Sequence, residues 1–197
     1  MMEPLRDARE LLALLAERDW SIATAESLTG GLVASALIDV PGASVSMRGG
    51  VIAYDTDLKR QLLGVDAALL RTRGPVDADV ARQMASGVRR ALALDGSPAG
   101  VGLATTGVAG PGPADGQPAG TVFVAVATPL GVRTAHEVLD GDRARIRRAC
   151  VALVLRLAID AVREGSSCEN CFIDVTVHRI VPPAVDPRLA WYQTVRR

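Results

Sequence analysis

Along the first half of the chain, short runs of β-branched or small residues alternate with stretches patterned for helices. That alternation, more than any other feature, limits the architectures open to the chain. A strand followed by a helix and then another strand must lay its helices over the faces of a sheet. Leu5, Ala8, Leu11, Leu12 and Leu15 recur at helical spacing, which predicts a helix from Leu5 to Arg18. Trp20 to Ala25 reads as a strand, Leu32 to Ile38 as a helix ended near Pro41-Gly42, and Met47 to Tyr54 as a second strand. Asp57 to Leu63 and Asp66 to Leu70 read as short helices, and Asp77 caps a longer one reaching about Leu94. Gly100 to Thr106 is a strand, and Gly107 to Ala119, with four glycines and three prolines, is loop. Thr121 to Thr128 and Arg133 to Leu139 form a hairpin around Pro129-Leu130-Gly131, and Gly141-Asp142-Arg143 opens a last helix to about Arg163. The expected fold class is α/β, a three-layer α/β/α sandwich with a mixed, mostly parallel sheet. The domain is expected to occupy residues 1–164, with residues 165–197 as an appended tail.

The 197 residues suffice for one domain with a sizeable core, and 49% of them are apolar, which excludes a largely disordered chain. Aromatic residues are only 3%, so that core is built from Ala, Val, Leu and Ile. Lys plus Arg equals Asp plus Glu at 22 each, so there is no global field to draw in nucleic acid or an anionic membrane. Anion binding must come from a local site. No apolar run of about 18 residues is present, and Met1 to Arg9 lacks the basic-then-apolar order of a signal peptide. Three cysteines, a small and odd number, fit a reducing compartment, and the expected location is cytoplasmic.

Three strand ends run into glycine-rich or helix-opening sequence: Ala25 to Gly31, Thr105 to Gly112 and Gly141 to Arg143. In open α/β sheets ligands sit beyond strand ends against helix N-termini, where free N–H groups face an anion. Ser27 lies between a strand and the Gly30-Gly31 helix start, the place for an exposed nucleophile; the alternative is that Ser27 and Thr29 only cap the helix. A serine nucleophile needs a base. His136 lies inside a strand pattern and His178 in the tail, so neither suits a Ser-His-Asp triad. Lys59 is better placed, and it is the only lysine in the chain. A desolvated lysine can lose its proton and act as base, whereas arginine cannot; the alternative is a solvated surface lysine. Tyr54 can orient the serine or stack on a ring, and Arg143 can clamp a phosphate. Arg145, Arg147 and Arg148 read as solvated or interfacial.

The stretch Thr24-Ala25-Glu26-Ser27-Leu28-Thr29-Gly30-Gly31 resembles the first motif of the CinA C-terminal domain family, the nicotinamide-nucleotide amidases. Gly49-Gly50-Val51-Ile52-Ala53-Tyr54 through Lys59 is similar to its second motif, Thr106 to Pro111 to its third, and Gly141-Asp142-Arg143 to its fourth. Four motifs in order from Leu5 to Arg163 are far more specific than any one alone. The resemblance implies hydrolysis of the carboxamide of nicotinamide mononucleotide to nicotinate mononucleotide and ammonia, a pyridine-nucleotide salvage step. It implies Ser27 as catalytic serine, Lys59 as its base with Tyr54 nearby, and Thr29, Thr106 and Arg143 in the substrate pocket. Gly30, Gly31 and Gly107 join them as glycines of the pocket's strand ends. It further implies no organic cofactor and a homo-oligomer. Asp55-Thr56 replaces the family's common Ser-Asn, bringing a carboxylate beside Lys59 that favours its charged form. The competing reading is a nucleotide-binding regulatory or interaction module that has lost turnover. The tail carries Cys168-Glu169-Asn170-Cys171, His178, Trp191 and Tyr192. With only Cys150 and His136 left to complete a ligand set, two thiols in a tail are favoured over zinc, and no metal is expected.

Overall fold

The computed structural model describes residues 3–164, with side-chain burial from residue 5 onward. The proposed tail, with its cysteine pair, His178, Trp191 and Tyr192, lies outside the described residues.

The elements follow in the order α1 (Glu3–Glu17), β1 (Ile22–Glu26), α2 (Leu32–Ile38), β2 (Met47–Ile52), α3 (Thr56–Leu63), α4 (Ala67–Arg73), α5 (Ala78–Ala91), β3 (Val101–Gly107), β4 (Thr121–Thr128), β5 (Gly131–Val138) and α6 (Arg143–Glu164). The sheet order is β2-β1-β3-β4-β5. β1 pairs in parallel with β2 and β3, while β3–β4 and β4–β5 are antiparallel. Four strands therefore share one direction and β4 alone opposes them. The β4–β5 hairpin closes through Pro129-Leu130, because Thr128 already pairs with Gly131. No helix among the described residues is long and apolar enough to cross a membrane.

Strand residues alternate in size as well as in direction, and this sorts the two faces. Ile22, Val101, Leu103, Val122, Val124 and Val126 face α1, α2 and α6 in one core. Ala23, Ala25, Ala104, Ala125 and Ala127 face α3, α4 and α5 in the other. The small face lets α5 come close: a Cβ on Gly102 would lie 2.1 Å from the Ala85 carbonyl oxygen.

Short polar side chains start the helices. Asp55 accepts the Asp57 N–H at 2.7 Å, Asp66 the Leu69 N–H at 2.7 Å, and Asp77 the Asp79 N–H at 2.8 Å. Asp142 accepts the Arg145 N–H at 2.7 Å at the head of α6. The C-terminal ends of β1 and β3, both interior and parallel, thus open at one edge of the domain beside the starts of α3 and α6. That is where a doubly covered sheet offers a crevice.

Candidate active site

Glu26 ends β1 and Ser27 begins the turn into α2. The Ser27 N–H donates to Thr105 O at 3.0 Å, which fixes the nucleophile candidate to the neighbouring strand. Lys59 sits in the first turn of α3 and is buried, with 1% of its surface exposed. Its Nζ donates to Ser27 Oγ at 3.1 Å, to Ala53 O at 2.7 Å and to Tyr54 O at 3.3 Å. No carboxylate among the described residues forms an ion pair with it. Burial therefore dominates, and it lowers the Lys59 pKa from 10.5 to about 8, against the smaller opposing pull of Asp55 and Asp115.

The three acceptors around Nζ decide what the neutral amine can do. An ammonium satisfies all three with its three protons. A neutral amine keeps two protons for the Ala53 and Tyr54 carbonyls and turns its lone pair to Ser27 Oγ. The surroundings thus hold Lys59 in the orientation of a general base. Asp55 does not hold Lys59 as an ion-pair partner; its Oδ1 is committed to capping α3.

A cavity of about 380 Å³ opens over the dyad. Ser27, Leu28, Tyr54, Lys59, Thr106, Gly107, Asp115 and Arg143 line it, together with the Pro75-Val76 connection and the rest of the loop to Asp115. The volume falls in the range of small-molecule sites. Arg143 stands at the rim, where its guanidinium donates to Tyr54 Oη at 3.1 Å and to Gly110 O at 3.2 Å. The Tyr54 phenol is thus engaged with Arg143 and not with Ser27; Tyr54 meets the dyad through its main-chain carbonyl. Thr106 donates to Pro75 O at 2.7 Å and keeps its lone pairs for a ligand.

Thr29, Gly30 and Gly31 do not line the cavity, contrary to the sequence expectation. The anion site anticipated at the head of α2 is filled from within. The buried Glu26 carboxylate accepts the N–H groups of Gly31 at 2.9 Å, Val33 at 3.0 Å and Ala34 at 2.8 Å. A carboxylate is the expected occupant of a helix N-terminus, and here it comes from the protein itself. Thr29 is fully buried and its Oγ1 bonds Thr105 Oγ1 at 2.7 Å. Gly30 and Gly31, at φ +58° and +97°, serve the turn.

Sequence reasoning missed Glu26, Asp115 and Arg147. Glu26 lay inside the first motif, but a capping carboxylate five to eight residues before the N–H groups it accepts leaves no spacing signature. Asp115 was hidden in the glycine- and proline-rich loop. Arg147, read as solvated or interfacial, donates to Leu28 O at 2.9 Å and Thr29 O at 2.8 Å. His136 stacks on Phe123 with ring centroids 4.5 Å apart, and it is absent from the cavity lining. Burial pushes the Cys150 thiol pKa up, which suppresses its thiolate. Among the described residues no group of three or more His, Cys, Asp or Glu is placed to hold a metal.

The CinA C-terminal domain matches residues 6–162. A CinA-like protein of Frankia casuarinae is 48% identical over 147 residues, covering 75% of this chain and 33% of its own length. A putative competence-damage inducible protein of Desulforamulus reducens is 42% identical over 145 residues, covering 74% of this chain and 34% of its own length. The chain spans about a third of the length of the curated relatives it matches. Among solved structures, the competence/damage inducible protein CihA from Agrobacterium tumefaciens superposes with a TM-score of 0.73 at 33% identity, over 82% of this chain and 96% of that one. A CinA superfamily protein from Klebsiella pneumoniae gives 0.75 at 28% identity, over 82% and 98%. With four sequence motifs converging on one cavity and the match running from the first helix to the last, the chain belongs to the CinA C-terminal domain family.

Proposed function

We propose that this domain hydrolyses the carboxamide of nicotinamide mononucleotide, giving nicotinate mononucleotide and ammonia. The observation that carries the reading is the buried Lys59 Nζ, 3.1 Å from Ser27 Oγ, with its other contacts being two main-chain carbonyls. Neutral Lys59 takes the Ser27 proton as Oγ attacks the carboxamide carbon, and the C=O becomes an oxyanion. Collapse breaks the C–N bond, and the Lys59 ammonium returns its proton to the leaving nitrogen, which departs as ammonia. Water, deprotonated by Lys59, then cleaves the acyl-serine ester, releasing the carboxylate product and restoring Ser27. Arg143 at the rim suits a mononucleotide phosphate, Tyr54 offers a ring face to the pyridine, and Thr106 and Gly107 border the reacting group.

Ammonia release from nicotinamide mononucleotide tests the reading, run beside folded Ser27→Ala and Lys59→Ala variants. Turnover by the native chain and its loss in both variants supports it. Arg143→Ala is expected to raise KM more than it lowers kcat, as loss of a phosphate contact does. A native chain that binds the nucleotide and releases no ammonia sinks the amidase reading and leaves a nucleotide-binding module.

A further inference from the structure

Arg143 and Arg147 are one helical turn apart on α6 and so project from one side of it, yet they do different things. Arg143 reaches the cavity rim, whereas Arg147 reaches the turn that carries the nucleophile. Its Nε donates to Leu28 O at 2.9 Å and its Nη2 to Thr29 O at 2.8 Å, so one guanidinium fork holds two successive peptides. The Gly30 N–H, on the far side of the second peptide, donates to Ser27 O at 3.1 Å. That bond orients the Ser27–Leu28 peptide and turns the Leu28 N–H away from it. The Leu28 N–H meets no acceptor among the described residues, although Leu28 is buried and lines the cavity. The Thr29 N–H next to it likewise meets no acceptor among the described residues, but only Leu28, the residue after the nucleophile, lines the cavity, where a ligand can accept its N–H. Gly30, at φ +58°, supplies the left-handed conformation of this turn.

We propose that Arg147 is a positioning residue: it locks the turn after Ser27 so that the Leu28 N–H is presented to the oxyanion formed on attack. The inference rests on the amide-hydrolysis reading. Arg147 touches no substrate and acts only through the Leu28 and Thr29 carbonyls.

Steady-state kinetics on nicotinamide mononucleotide separate the possibilities, with Arg147→Ala, Arg147→Lys and, as a control on the exposed side of α6, Arg148→Ala. Arg147→Ala is expected to lose kcat roughly 10- to 100-fold, less than the roughly 100- to 1000-fold that outright removal of an oxyanion donor costs, with KM changed less than about threefold. Arg147→Lys, able to hold one carbonyl, falls between, and millimolar guanidinium partly restores Arg147→Ala. Unchanged kcat in Arg147→Ala, a rise in KM alone, or an equal loss in Arg148→Ala overturns the proposal. Should Arg147→Ala not fold, Arg147→Lys decides, and native kcat there overturns it. The rate at which a fluorophosphonate labels Ser27 reads the same turn without the substrate. A native chain that labels but releases no ammonia refutes the amidase reading alone; native-like labelling in Arg147→Lys refutes the role of Arg147.

Discussion

The state of Lys59 makes the pH dependence of turnover the sharpest test of the dyad. With a pKa of about 8, roughly a tenth of the lysine is neutral at pH 7; at the ordinary 10.5 the neutral fraction would be about 300-fold smaller. In the proposed mechanism, burial thus supplies the base at neutral pH. The expected profile of kcat/KM rises about tenfold per pH unit below pH 7, bends near 8 and levels above about 9. It is measured as ammonia release from pH 6.5 upward, clear of the substrate phosphate's own ionisation near pH 6. Asp55 and Asp115 both hold the Lys59 pKa up, so Asp55→Asn or Asp115→Asn moves the bend to lower pH and raises activity at pH 7. Asn at position 55 preserves the cap on α3. Lys59→Arg abolishes the limb along with activity, because a guanidinium stays protonated. A flat profile from pH 6.5 to 9, a bend near 10.5, or a bend moved upward by either Asn variant refutes the reasoning.

Three further outcomes follow from the packing. The Lys59 pKa is lower folded than unfolded, so between pH 8 and 10.5 the unfolded chain binds more protons. Over that window the native chain gains stability relative to Lys59→Met, by up to about 3 kcal/mol, as urea unfolding at the two ends would read. Glu26→Ala uncaps three N–H groups at the head of α2 and is expected to cost roughly 2–4 kcal/mol, with Glu26→Gln losing less, as denaturant midpoints would show. Gly102→Ala drives a methyl into the Ala85 carbonyl and should lower stability by about 1–3 kcal/mol while leaving KM unchanged.

The order of elements was legible in the sequence because each rests on a local signal. Helical spacing announced α1, Asp77 announced the start of α5, and the turn at Pro129-Leu130-Gly131 announced the β4–β5 hairpin. Ser27 and Lys59 could be named as partners because chemistry requires a base for a serine and the chain offers one lysine. What the sequence could not decide is which groups already have partners. The helix start at Gly30-Gly31 reads as an open anion site until the fold turns the Glu26 carboxylate back onto it. Asp55 reads as holding Lys59 charged, and it does pull that way, but only the fold shows its oxygen capping the Asp57 N–H and the burial of Lys59 outweighing it. Arg147 reads as surface charge until α6 lies against α2 and brings it to carbonyls 118 and 119 residues away. Local patterns determine where the chain bends and which face is buried; donor and acceptor assignments, and the desolvation that lowers the Lys59 pKa, arise only when distant segments exclude water together.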